Sequence, residues 1–127
     1  MTNSDFGRAL SISASGLKAQ SNRLRHISEN IANVDTPGFR RKLINFHEIE
    51  AGKVAAGKVM LDQTPLEQVH DPSHPLADTN GNYQKSNVNI LFEIADAREA
   101  QHSYEANLKL FEQSQNMSSS LLDLLKK

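Results

Sequence analysis

Residues 28–42 read SENIANVDTPGFRRK, and the fold turns on where the helix in this stretch stops. Upstream, Leu10, Leu17, Leu24 and Ile31 recur every seven residues, and Phe6, Ala9, Ala14 and Ile27 broaden the stripe. That period is helical and holds for about four heptads. Thirty residues at about 1.5 Å each make a rod of roughly 45 Å. Asn33 suits the C-terminal cap, where asparagine tolerates left-handed backbone, and Pro37 forbids the helix to continue. Pro37-Gly38 fits the central pair of a type II turn. A helix is therefore predicted over residues 4–33.

The other end of the chain repeats the pattern. Ile94, Ala97, Gln101, Tyr104, Leu108, Phe111, Gln115, Ser118, Leu122 and Leu125 follow an alternation of threes and fours, which is heptad spacing. Asn89 is placed to act as N-cap, and Lys126 and Lys127 sit where a helix C-terminus favours positive charge. No Gly or Pro falls between Ile90 and the end, so one unbroken helix is expected. Residues 34–89 hold all four prolines and four of the six glycines. Short β-prone runs, Leu43–Phe46 and Lys58–Leu61, alternate there with turn signals such as Thr79-Asn80-Gly81-Asn82. The expectation is a mainly α chain in three parts: a helix in 1–33, an extended arm with one short β-hairpin in 34–89, and a helix in 90–127.

Charge supports a helix pair. Residues 1–33 carry four basic and two acidic side chains, whereas residues 90–127 carry four and six. The two helices thus have opposite net signs, a mild bias toward pairing; exposed ion pairs contribute at most about 1 kcal/mol each. Ser13, Gln20, Gln101, Gln115 and Ser118 interrupt the stripes, and polar seam residues lower stability while fixing register. Two helices cannot cover each other's apolar faces all round, so neighbouring copies are expected to complete the burial.

The whole chain of 127 residues has a net charge of −1, which lacks the basic footprint of a nucleic-acid binder. It has no cysteine, which excludes disulfides and thiolate chemistry. No apolar run approaches the roughly 18 residues of a membrane span. MTNSDFGRAL lacks the parts of a cleaved signal, so either the protein stays in the cytosol or it leaves by a route needing none.

The chain carries no recognisable catalytic or metal motif. His70 and His74 have an i, i+4 spacing, but Pro72 and Pro75 argue against the helix that would align their rings. Solvated loop histidines are the expectation. Asp78-Thr79-Asn80-Gly81-Asn82 starts like a calcium loop but has Tyr83 and Asn89 where glycine and glutamate are required. No phosphate loop, nucleophile elbow or zinc-protease motif occurs. The Arg40-Arg41-Lys42 triplet reads as exposed charge, and three charges are few for holding a membrane. No enzyme, cofactor, small-molecule substrate or nucleic-acid partner is expected. Asn30 and Asn33 lie on one helical face, where their amides either tie the helix end to the loop or an adjoining helix, or merely cap their own helix.

These asparagines carry a resemblance. Asn30-Ile31-Ala32-Asn33 followed by Thr36-Pro37-Gly38-Phe39 resembles the "NIAN…TPGY" signature of the bacterial flagellar axial proteins, specifically the basal-body rod subunits. Ser86-Asn87-Val88-Asn89, then Glu93, Arg98 and Tyr104-Glu105-Ala106-Asn107, resembles the "SNVN…E…R.YEAN" signature of the same family. Asp71 to Gly81 resembles the "DP.HP.AD.NGY" segment of the short proximal-rod subfamily, although Ser86 stands where that subfamily commonly has Pro and Asn82 is an extra residue before Tyr83. The middle segment is too short for the domain that longer rod and hook relatives insert.

The resemblance implies a structural subunit of the proximal rod, its terminal helices forming the core (D0-like) domain as an antiparallel coiled-coil-like pair in a tube whose contacts repeat helically. It implies export through the flagellar type III apparatus without a cleaved signal, and residence in the periplasmic rod of the basal body. Implied partners are the chain itself, rod proteins of the FlgB, FlgF and FlgG types, the MS ring and the rod-base adaptor. The implied assembly interface takes Leu10, Leu17, Leu24, Ile27, Asn30, Ile31 and Asn33 from the first helix, and Pro37, Gly38 and Phe39 from the turn. Asn87, Asn89, Glu93, Tyr104, Asn107, Leu108, Phe111, Leu122 and Leu125 complete it. The motif at 28–42 is expected to lock the helix to the arm and to a neighbouring subunit so that torque passes along the rod. Rival readings are a soluble helical adaptor or type III export chaperone, and a small metalloenzyme using His70 and His74.

Overall fold

The structure, a computed structural model, describes residues 3–126. Two helices, α1 (Asn3–Ala32) and α2 (Ile90–Leu125), flank six short strands: β1 (Lys42–Leu43), β2 (Phe46–Glu50), β3 (Lys53–Ala56), β4 (Met60–Leu61), β5 (Gln68–His70) and β6 (Asn82–Gln84). Asn89 caps α2 with a side-chain oxygen that accepts from the Leu91 amide at 3.0 Å. The Lys126 amide closes the other end by donating to the Leu122 carbonyl; Lys127 lies outside the described residues.

The helices are antiparallel. Asn30 meets Glu93, Arg23 meets Glu99, and Gly16 meets Asn107. Along α2 the buried and half-buried positions include Glu93, Ala97, Ala100, Tyr104, Asn107, Phe111, Ser114, Ser118 and Leu121, an alternation of fours and threes. The period is the one read from the sequence, but the phase is not. Ala97, Tyr104, Phe111 and Ser118 belong to this stripe, whereas Ile94, Gln101, Leu108, Gln115, Leu122 and Leu125 are exposed. Close approach of two helices selects small side chains: Ala100 is wholly buried, and a Cβ at Gly16 would lie 2.6 Å from the Asn107 Oδ1. Taking Ile94 over Glu93 and Leu108 over Asn107 turns the stripe off the seam.

On α1, Phe6 and Ile27 are buried, while Ala9, Leu10, Leu17, Leu24 and Ile31 are half-buried. Ala14, expected in the stripe, is exposed. A second side of α1 carries the β2–β3 hairpin: the Val54 amide donates to the Ser15 Oγ at 3.1 Å, and Ile12 packs under Gly52. The hairpin tip has positive φ at both Ala51 (43°) and Gly52 (87°), as a type I′ turn requires.

The middle segment holds three antiparallel pairs, β1–β4, β2–β3 and β5–β6, rather than one hairpin. The run Leu43–Phe46 is split between two of them, and of Lys58–Leu61 only Met60 and Leu61 pair. Local β-propensity marks a strand without naming its partner. The turns are as the sequence suggests: Phe39 N donates to Thr36 O at 3.2 Å with Gly38 at φ 77°. Gly81, at φ 81°, leaves no space for a side chain beside Pro72.

Candidate functional site at the helix–arm junction

Only four apolar side chains are buried among the described residues (Phe6, Ala19, Ile27 and Ala100), and the largest fully buried ones are Glu93 and Asn30. A buried carboxylate is rare unless paired and hydrogen-bonded, so the end of α1 and the start of α2 are where this fold is most specific.

Asn30 projects from the last turns of α1 onto β1. Its Oδ1 accepts from Lys42 N at 2.8 Å, and its Nδ2 donates to Lys42 O at 3.0 Å and to Glu93 Oε2 at 3.3 Å. One amide thus substitutes for a neighbouring strand and also engages α2. Asn87 does the same from the approach to α2: its Oδ1 accepts from Arg41 N at 2.6 Å, and its Nδ2 donates to Asp62 O at 2.9 Å and Thr64 O at 3.2 Å. Asn33 does neither. Its Nδ2 returns to the Glu29 carbonyl at 2.8 Å, and its backbone is not left-handed, because Ala51 is the one non-glycine residue at positive φ among those described. Of the two asparagines, Asn30 ties separate elements together, whereas Asn33 caps its own helix and holds only the adjoining turn, its Oδ1 accepting from the Thr36 hydroxyl at 3.0 Å.

Arg41 and Lys42 are not solvated charge. The Arg41 Nε donates to Glu93 Oε1, its Nη2 lies 2.7 Å from Asp96 Oδ2, and its Nη1 lies 3.8 Å from Asp62 Oδ2. Burial opposes its charge, but the hydrogen bond it donates to Glu93 and the fields of Glu93, Asp96 and Asp62 outweigh that and raise its pKa. Lys42 Nζ reaches Glu29 Oε2 at 2.5 Å and pulls that carboxyl below its ordinary value. Asp62 is likewise lowered, first by the Thr64 hydroxyl and amide and then by Arg41 and Arg40. Around this core the two chain crossings are laced together: Gly38 N to Gln84 O at 3.0 Å, Asn87 N to Phe39 O at 3.3 Å, Ser86 Oγ to Val34 O at 2.5 Å.

Asn30, Asn87 and Glu93 thus converge, with Pro37, Gly38 and Phe39 forming the crossing beside them. Tyr104, Asn107 and Phe111 lie on the helix seam, and Asn89 is a cap. Leu108, Leu122 and Leu125 are exposed. Sequence reading missed Arg41, Lys42, Asp62 and Asp96; the available signal was the phase of Glu93, which continues the Ala97, Ala100, Tyr104 alternation inward. His70 and His74 are engaged separately, His70 Nδ1 with Asn82 Oδ1 at 2.9 Å and His74 stacked on Tyr83 at 4.0 Å. No group of three or more metal-ligating side chains is placed to hold an ion among the described residues.

The arrangement fixes the direction in which the arm leaves the helices. Known proteins resemble the chain on both sides of this junction. The family profile described as "Flagella basal body rod protein" matches residues 10–40, and that described as "Flagellar basal body rod FlgEFG protein C-terminal" matches residues 79–124. Asn30 falls in the first match, and Asn87 and Glu93 in the second. The flagellar basal-body rod protein FlgC of Agrobacterium fabrum is 44% identical over 130 residues, covering 93% of this chain and 94% of that one. The protein of the same name from Salmonella typhimurium is 32% identical, covering 89% and 92%. Identity at this level over nearly the full length of both chains means that the chain belongs to the FlgC family of flagellar basal-body rod proteins.

Proposed function

We propose that the chain is a structural subunit of the proximal rod that stacks helically with copies of itself and with rod proteins of the FlgB, FlgF and FlgG types. In this reading α1 and α2 form the core domain of the drive shaft, and the junction at Asn30, Arg41, Asn87 and Glu93 carries torque between core and arm. The MS ring and rod-base adaptor lie at one end. The subunit reaches the periplasm through the type III export apparatus with no cleaved signal, and its role requires no catalysis.

One observation carries the proposal. Leu91, Phe92, Ile94, Leu108, Leu110, Met117, Leu122, Leu124 and Leu125 are all exposed on α2, far more apolar surface than a single partner helix covers. No helix is long and apolar enough to cross a membrane among the described residues, so other protein surfaces are the natural cover. The test is a strain lacking the gene, complemented with a tagged copy. The tagged chain should be recovered in purified basal bodies at the rod, and the unrescued strain should lack rod and motility. Normal rods in the unrescued strain, or recovery of the chain only in a discrete complex with one exported client, would overturn the reading.

A further inference from the structure

We infer that the arm base, residues 41–43 with 60–64, is a conditional element that orders only when α2 is docked on α1. The β1–β4 ladder has two residue pairs, Lys42 with Leu61 and Leu43 with Met60. A ladder that short does not stand alone in water. It has little apolar burial to help it, since Met60 and Leu61 are about half exposed. What fixes residues 60–64 is polar and comes from one side: Asp62 N donates to Arg41 O at 2.8 Å, the Arg40 guanidinium to Asp62 O and Thr64 O, and the Asn87 amide to the same two carbonyls.

Those supports depend on the helix pair in turn. Arg41 is held by Glu93 and Asp96, both on α2, and Lys42 by Asn30, whose amide also bonds Glu93. Asn87 enters α2 two residues before its cap. If α2 leaves α1, Arg41 loses two of its three carboxylates and Asn30 loses its cross-helix bond. The β2–β3 hairpin rests on α1 through Ser15 and Ile12, and β5–β6 has its own three-pair ladder and the His74–Tyr83 stack. Neither needs Glu93. Helix pairing is thereby reported at one place in the arm and not at the others, through Arg41 as the positioning residue.

Hydrogen exchange read by mass spectrometry on the full chain tests this, using the wild type, Gly16→Leu and the double variant Arg41→Met, Glu93→Gln. Gly16→Leu drives a side chain into Asn107 about 21 Å along α1 from Asn30. The double variant removes the buried charges together, while the amide introduced by Glu93→Gln still offers Asn30 an acceptor. Wherever residues 93–107 exchange freely, as wild type alone or as Gly16→Leu, protection at 41–43 and 60–64 should fall by about tenfold or more. In the double variant it should fall as far while 93–107 stay protected. An arm base still protected with 93–107 open overturns the inference. So does an arm base unchanged in the double variant, which decides the matter even if Gly16→Leu leaves the helices paired.

Discussion

Asn30 and Asn33 stand three residues apart on one helix, yet their loss should cost very different amounts. Asn30→Ala strands the Lys42 N–H and C=O and removes the amide beside Glu93, and buried groups left unpaired cost about 1–3 kcal/mol each. A loss of about 3 kcal/mol in urea unfolding is expected. Asn33→Ala gives up two local bonds at a half-exposed helix end, one to the Glu29 carbonyl and one from the Thr36 hydroxyl, and about 0.5–1 kcal/mol is expected. Equal effects would remove the distinction. From sequence alone the two residues looked alike, because spacing places both on one face and says nothing of what lies opposite. Asn30 became legible only with its partner, the backbone of Lys42, and Arg41 was hidden in a triplet that reads as solvated charge. Gly38 and Asn89, by contrast, were legible because a type II turn and an N-cap are fixed by neighbours in the chain.

Both helices could be read from the sequence with ends within about two residues, since a period sustained over several heptads is a local property. The phase of α2 could not be, because the seam chose Ala100 and Asn107 over Ile94 and Leu108 for size rather than for hydrophobicity. This gives a test at the scale of the element. Ala100→Leu, at a fully buried position, should cost about 1–3 kcal/mol through overpacking, while Leu108→Ala should cost the isolated chain less, about 1 kcal/mol or under. The opposite order would restore the stripe read from the sequence. The neck between helix and arm should respond to acid. The Glu29 and Asp62 carboxyls sit below their ordinary values of 4.5 and 3.8 in the folded chain. Their contribution is therefore complete above those values and is lost as the pH falls through the lower, folded ones. Urea midpoints should hold steady from pH 7 to about 5 and then decline toward about pH 3. Glu29→Gln should make that decline shallower, and an unchanged slope would exclude Glu29 as a contributor.

At the scale of the whole molecule, four buried apolar side chains among the described residues are a small core for so long a pair of helices, and most of the large apolar residues of α2 are exposed. A chain of this kind gains stability mainly from what covers it, because burial of apolar surface is the dominant favourable term and this surface is left open within one copy. Substitutions that are harmless to the isolated chain should therefore be damaging in the assembly. Leu108→Ser with Leu122→Ser changes two exposed side chains, 37% and 45% accessible, outside the seam that holds Gly16 and Ala100. Its urea midpoint should fall only slightly, since neither leucine is part of the seam. Covering what is left open of each leucine is worth about 0.5–1.5 kcal/mol, a loss repeated at every copy in a stack, so motility on soft agar should fail and the variant should be absent from purified basal bodies. Export into the medium should continue, because it does not use the packed surface. A variant that swims normally would show that this side of α2 faces solvent in the rod, and the cover would then have to be sought at Leu110, Met117 and Leu124.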